Sequence, residues 1–147
     1  MYEAFYRLGG PPFRLTPDPR YLYLSAQHRE ALGHLLFGIR EGGGFIAVTG
    51  DIGTGKTTLL RTLIRDLEPG TVVAYIFNPA LSDLELLQAI NSELRLPAMS
   101  SSKKDLVDEL NRFLMAQKVS GTRVVVIVDE AQNLAPTVLE QLRLLSN

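Results

Sequence analysis

The stretch that decides the fold is "FIAVTGDIGTGKTTLLRTLIRDL", residues 45–67. Its first four residues, Phe45 to Val48, are apolar and predict a short buried strand. Gly50-Asp51-Ile52-Gly53-Thr54-Gly55-Lys56-Thr57 follows, and it fits the pattern G-x-x-x-x-G-K-[ST]. Leu59, Leu60, Leu63, Ile64 and Leu67 then recur at helical spacing. At an average glycine usage of about 7%, a chance match to this pattern in a chain of this length is roughly a one in a hundred event. The order strand, glycine loop, helix is the one that phosphate binding needs.

Each residue type has a physical reason. Gly50, Gly53 and Gly55 let the backbone turn tightly and keep side chains away from the phosphates. The amide N–H groups between Gly50 and Gly55 form an anion nest. The following helix adds unpaired N–H groups and the positive end of its dipole. Lys56 places a point charge on β- and γ-phosphates, the Thr57 hydroxyl is placed to ligate Mg²⁺, and Thr58 is expected at the α-phosphate. Asp51 is out of character, because an acid near phosphates repels them. Its side chain is expected to point away, toward water or a neighbouring subunit. The competing reading is a glycine-rich turn with a solvated lysine, and the flanking strand and helix decide against it.

A phosphate loop needs a magnesium partner. In phosphoryl-transfer sites it is an Asp at the end of an adjacent buried strand. The stretch "RVVVIVDEAQN", residues 123–133, has that shape. Its aliphatic run, Val124 to Val128, ends on Asp129, where open α/β sheets bind their ligands. Alone, Asp129 reads as a strand-ending acid at a turn; beside a phosphate loop it reads as the Mg²⁺ ligand, acting through water because Mg²⁺ dehydrates reluctantly. Glu130 then orients or deprotonates an attacking water.

The rest of the chain extends this pattern. Ser25 can cap a helix carrying Ala31, Leu32, Leu35, Leu36 and Ile39, which "EGGG" at 41–44 ends. "TVVAYIF" at 71–77 predicts a strand, and a capped helix is expected from about Ser82. "KKDLVDELNRFLMAQK" is an amphipathic helix, and Pro136 opens a last one. Strands alternating with helices predict an α/β domain with a parallel sheet, whose continuous apolar strands are covered on both faces. Residues 1–24 are aromatic and proline-rich and predict an arm rather than a helix.

The totals bound the function. A chain of 147 residues fits one domain, and 46% hydrophobic with 21% charged residues excludes disorder. The net charge of −1 argues against a dedicated nucleic-acid binder without excluding a local basic patch. With no cysteine, disulfides and thiolate metal sites are excluded, and the cytoplasm is a compatible location. No apolar run approaches the roughly 20 residues that span a membrane, so none is expected to do so.

Three segments together carry a resemblance: "FRLTPDPRYLYLSAQHREALGHLLFGI", "GDIGTGKTTLLRTLI" and "VVVIVDEAQNLAPTVLEQLRLLSN". They resemble the AAA+ ATPases of the general secretion pathway protein A type. Related are the ATPases tied to pilus biogenesis and to exosortase and exopolysaccharide loci and, more distantly, transposition ATPases of the MuB and TniB kind. The likeness covers essentially the whole chain. It implies a P-loop NTPase of AAA+ type, a three-layer sandwich that binds and hydrolyses ATP with Mg²⁺ and forms homo-oligomers. It matches Gly50 to Thr58 to the nucleotide loop, Asp129 to the Mg²⁺ acid and Glu130 to the catalytic acid. It also offers Asn78 as the polar residue that gates the catalytic Glu, although Asn78 reads equally as a turn initiator before Pro79.

The resemblance implies strand order 5-1-4-3-2, so that a fourth strand separates the loop strand from the carboxylate strand. Residues 1–24 are then expected as an arm and 25–147 as a partial core, truncated before the fourth strand. A gap or foreign pairing is expected at the open strand edges. Sensor, arginine finger and lid would lie beyond Asn147.

His28 and His34, six apart, do not share a helix face, which argues against a metal site. His28, Arg29 and Glu30 offer a base or ribose contact, or simple solvation. Phe5, Tyr6, Phe13, Tyr21 and Tyr23 either cover the adenine or pack the arm. The leading expectation is a cytoplasmic ATPase, peripheral to the inner membrane through other parts or partners, that powers envelope-assembly proteins. The alternatives are a DNA-directed ATPase of the transposition type and a weakly hydrolysing nucleotide switch.

Overall fold

Three of the described helices start at a serine whose hydroxyl satisfies an orphan backbone N–H. The computed structural model describes residues 24–77 and 80–146. The proline-rich arm with its aromatic residues, and Asn78, lie outside the described residues. Helix α1 (Ala26–Arg40) starts at Ser25, whose hydroxyl accepts the His28 N–H at 3.2 Å. Helix α2 (Lys56–Asp66) springs from Gly55 in the left-handed region, φ 86°. Strand β1 (Val72–Ile76) follows. Helices α3 (Asp83–Glu93) and α4 (Lys103–Val119) are capped by Ser82 and Ser102, each accepting an N–H three residues on. Strand β2 (Val124–Val128) leads through a short 3₁₀ turn, Ala131–Asn133, into α5 (Pro136–Leu145), with proline in its first turn.

Three helices end in the same way. After α1, Gly42 turns left-handed, its N–H bonds Ile39 O, and the Gly43 N–H bonds Gly38 O. Gly121 does the same after α4, as the glycine in the left-handed position. After α3 the position is taken by Arg95, at φ 58°.

Strands β1 and β2 pair in parallel, in register from Val72 with Val124 to Ile76 with Val128. Alternation then sorts the side chains. Val73, Tyr75, Val125 and Ile127 face α1 and α2, where Leu32, Leu35, Leu59, Leu60 and Leu63 close a core. Ala74, Ile76, Val124 and Val128 face α3, α4 and α5, against Leu86, Leu87, Ile90, Leu106 and Leu110. The result is three layers, helix on sheet on helix, as the apolar strands predict. Asn91 is wholly buried on α3, and its amide donates to Leu106 O at 3.1 Å and Pro97 O at 3.3 Å. It ties α3 to α4 and to the loop between them.

One expectation is corrected. Residues 45–48 form no strand, and Phe45 and Ile46 are 52% and 42% exposed. A strand exists only when a neighbour takes its N–H and C=O groups. Here the neighbour is absent among the described residues. A cleft of about 380 Å³ opens between Gly43–Ile46 on one side and Val124 and Val126 of β2 on the other. That cleft stands beside the carboxylate strand, where the strand order implied by the resemblance places a gap.

Candidate functional site

The glycine loop turns on two left-handed glycines, Gly53 at φ 80° and Gly55 at φ 86°. Thr54 closes it from within: its N–H and its hydroxyl both donate to Asp51 O, at 3.3 and 2.8 Å. The Lys56 ammonium folds over the same loop, donating to Gly50 O at 2.6 Å and Asp51 O at 2.8 Å. Two of its three N–H donors are therefore spent on the loop itself. A Cβ at Gly50 would stand 2.9 Å from Thr54 Oγ1, so a larger residue would push into the loop. Asp51 is exposed, and the loop uses its backbone carbonyl. Ile52 is fully exposed at the tip. Thr58 lies on the first turn of α2, where its carbonyl accepts the Thr62 hydroxyl at 3.0 Å.

Sheet register brings the second half of the site to the first. The Asp129 N–H bonds Ile76 O at 2.9 Å, which continues the ladder one residue past β2. Its carboxylate is buried and accepts three hydrogen bonds. Thr57 Oγ1 donates to Oδ2 at 2.9 Å, the Tyr75 phenol donates to the same oxygen at 2.8 Å, and the Glu130 N–H donates to Oδ1 at 2.9 Å. Burial pushes the Tyr75 phenol up to about 12, and its hydrogen bond to Asp129 and that carboxylate's charge push the same way. Tyr75 is thus a neutral donor across the physiological range.

Thr57 and Asp129 together present hard oxygen donors on facing elements, which suits a magnesium ion that also takes phosphate oxygens. Among the described residues no cluster of three or more His, Cys, Asp or Glu side chains forms a metal cage. Glu130 is exposed and left-handed, φ 58°, a conformation seldom taken by a residue with a long side chain. Its carboxylate accepts the Gln132 amide. This kink turns the chain away from the sheet directly after Asp129 and presents Glu130 to solvent.

The structure therefore brings Lys56, Thr57, Asp129 and Glu130 to one end of the sheet. The expected Asn78 gate lies outside the described residues. His28 meets the loop rather than open solvent: its Nε2 lies 2.6 Å from Thr54 O. Sequence reasoning missed Tyr75. Its signal was a lone phenol in an aliphatic strand, but only the register of Tyr75 with Ile127 puts it beside Asp129.

Comparison with known proteins gives the family. The AAA domain family matches residues 39–147. Over 148 aligned residues the chain is 50% identical to General secretion pathway protein A of Aeromonas hydrophila, covering 100% of this chain and 27% of that protein. The chain thus spans about a quarter of that relative's length. No solved structure matched.

Proposed function

The chain belongs to the AAA domain family, and from that premise we propose that it is the nucleotide-binding part of a Mg²⁺-dependent ATPase serving a bacterial envelope secretion system. The observation that carries the reading is the 2.9 Å bond from Thr57 to Asp129, which joins the glycine loop to the acid-bearing strand.

The roles follow from position. The loop from Gly50 to Thr58 binds the phosphates through backbone N–H groups and the start of α2. Lys56 exchanges its two loop carbonyls for phosphate oxygens. Thr57 and Asp129 hold the metal, and Tyr75 and the Glu130 N–H keep the Asp129 carboxylate turned toward Thr57. A Mg²⁺ ion held by Thr57 and Asp129 would supply positive charge to the phosphates as negative charge develops there. Glu130 orients a water and accepts its proton.

The relative's name supports service to secretion. Envelope-assembly proteins as partners and a homo-oligomer as the working form belong to the same proposal. No helix among the described residues is long and apolar enough to cross a membrane, which is compatible with work at the cytoplasmic side. The test compares ATP turnover and ATP binding of the full-length protein with those of Lys56→Ala and Glu130→Gln. Lys56→Ala should lose binding; Glu130→Gln should bind normally and turn over about a hundredfold more slowly or worse. Equal turnover in wild type and Glu130→Gln would sink the catalytic assignment. Strong stimulation by duplex DNA, with a steep salt slope, would move the reading to a DNA-directed ATPase.

A further inference from the structure

We propose that His28 is a positioning residue for the phosphate loop, holding the Thr54–Gly55 peptide so that the Gly55 N–H faces the nucleotide's phosphates. This rests on the nucleotide-site reading above.

The geometry begins with a proton count. Ser25 Oγ accepts the His28 backbone N–H at 3.2 Å, as the cap of α1. The same hydroxyl lies 3.0 Å from His28 Nδ1. Nε2 lies 2.6 Å from Thr54 O, a carbonyl oxygen that can only accept, so Nε2 carries the proton and donates there. The neutral ring then has a bare Nδ1, which accepts the Ser25 hydroxyl proton. Ser25 thus supports the tautomer that grips the loop.

The grip has a direction. A trans peptide is planar, so its C=O and the following N–H point opposite ways. Drawing the Thr54 carbonyl toward α1 turns the Gly55 N–H to the other side, into the nest. Among the described residues, the hydrogen bond from His28 is the one that reaches the Thr54 carbonyl. Gly53 and Gly55 both take positive φ, and glycine visits either peptide orientation at little cost. The Thr54 N–H and hydroxyl bond within the loop, to Asp51 O. The imidazole also roofs Gly55, where an added Cβ would stand 3.6 Å from Nε2. His28 therefore couples the helix that precedes the loop to the peptide that begins the phosphate-binding helix.

The experiment measures KM and kcat for ATP in the full-length protein, with melting temperature in the absence of nucleotide. His28→Leu removes the donor, and His28→Gln restores an N–H at about the place of Nε2. Ser25→Gly keeps an acceptable helix cap but removes the hydroxyl that donates to Nδ1. His28→Leu should raise KM about tenfold, as loss of one directed hydrogen bond predicts, with kcat within about twofold and melting unchanged. His28→Gln should stay within about threefold of the wild-type KM, and Ser25→Gly should raise KM by less than His28→Leu does. Lys56→Ala serves as the reference. If it loses nucleotide binding while His28→Leu keeps the wild-type KM, the positioning role is wrong and the phosphate loop stands. If Lys56→Ala binds as wild type, the nucleotide-site reading itself falls. A drop in melting temperature and kcat in both His28 variants would make His28 purely structural and overturn the proposal; should His28→Leu fail to fold, Ser25→Gly and His28→Gln decide it by KM alone.

Discussion

Thr57 and Asp129 stand 72 positions apart in the chain, and the hydroxyl of one donates to the carboxylate of the other at 2.9 Å. The contact depends on three things at once: the start of α2 at Lys56, the end of β2 at Val128, and the parallel register that sets the strand beneath the helix. It joins the two side chains proposed to hold magnesium.

The first prediction concerns that pair. Asp129→Ala should cut Mg²⁺-dependent turnover about a hundredfold or more and raise the Mg²⁺ concentration needed for half-maximal activity. Thr57→Ser should keep most of the activity because it keeps the hydroxyl, and Thr57→Val should lose it. Turnover measured over a graded Mg²⁺ series checks this. Equal Mg²⁺ dependence in wild type and Asp129→Ala would remove Asp129 from the site.

Tyr75 gives a second. Tyr75→Phe keeps the ring against the α2 side of the sheet but removes a donor from Asp129 Oδ2. The expected loss is about tenfold in Mg²⁺ affinity, the usual effect of deleting a partner behind a metal ligand. A Mg²⁺ titration of turnover in the variant reads it directly.

Alkaline titration gives a third. The folded-state phenol of Tyr75 is raised to about 12 from its ordinary value of 10.0. A group raised in the folded state adds stability that is complete below its unfolded pKa. That stability therefore fades as pH climbs from about 10 through about 12. Phenolate absorbance should show one late-titrating tyrosine that Tyr75→Phe lacks. A wild-type curve with no component above the ordinary tyrosine range would refute it.

The buried amide of Asn91 offers a fourth. It donates to the carbonyls of Leu106 and Pro97 at the centre of the α3–α4 side. Asn91→Asp replaces both donors with a carboxylate facing two carbonyl oxygens. The expected cost is about 3 kcal/mol of folding stability, read as a lower urea midpoint at neutral pH. At acid pH the carboxyl regains one donor, and part of the loss should return.

Much of this was legible in the residues. Capping serines, left-handed glycines and apolar periodicity act over a few neighbours, so Ser25, Ser82, Gly42 and Pro136 mark helix ends in advance. The glycine loop and the acid after Val128 are also local patterns. Phe45 to Val48 went the other way. An apolar run has the propensity for a strand, but a strand is a relation between two segments, and here a cleft separates the run from β2. The reach of Tyr75 was hidden for the same reason, because a phenol in a strand meets whatever the register puts across from it.

Residue order alone carries the local patterns: a glycine-rich loop proposed for phosphate, a hydroxyl and a carboxylate proposed for magnesium, and elements that alternate into an α/β layer. These depend on bonds between near neighbours and on residue types, which a string of letters carries. Which groups share those chemistries was settled by the folded chain. Folding set Tyr75 on the Asp129 carboxylate, His28 on the Thr54 carbonyl, and left residues 45–48 without a ladder. Each of those outcomes turns on directed hydrogen bonds between segments far apart in the chain, whose geometry exists only once the sheet register and the helix packing are in place.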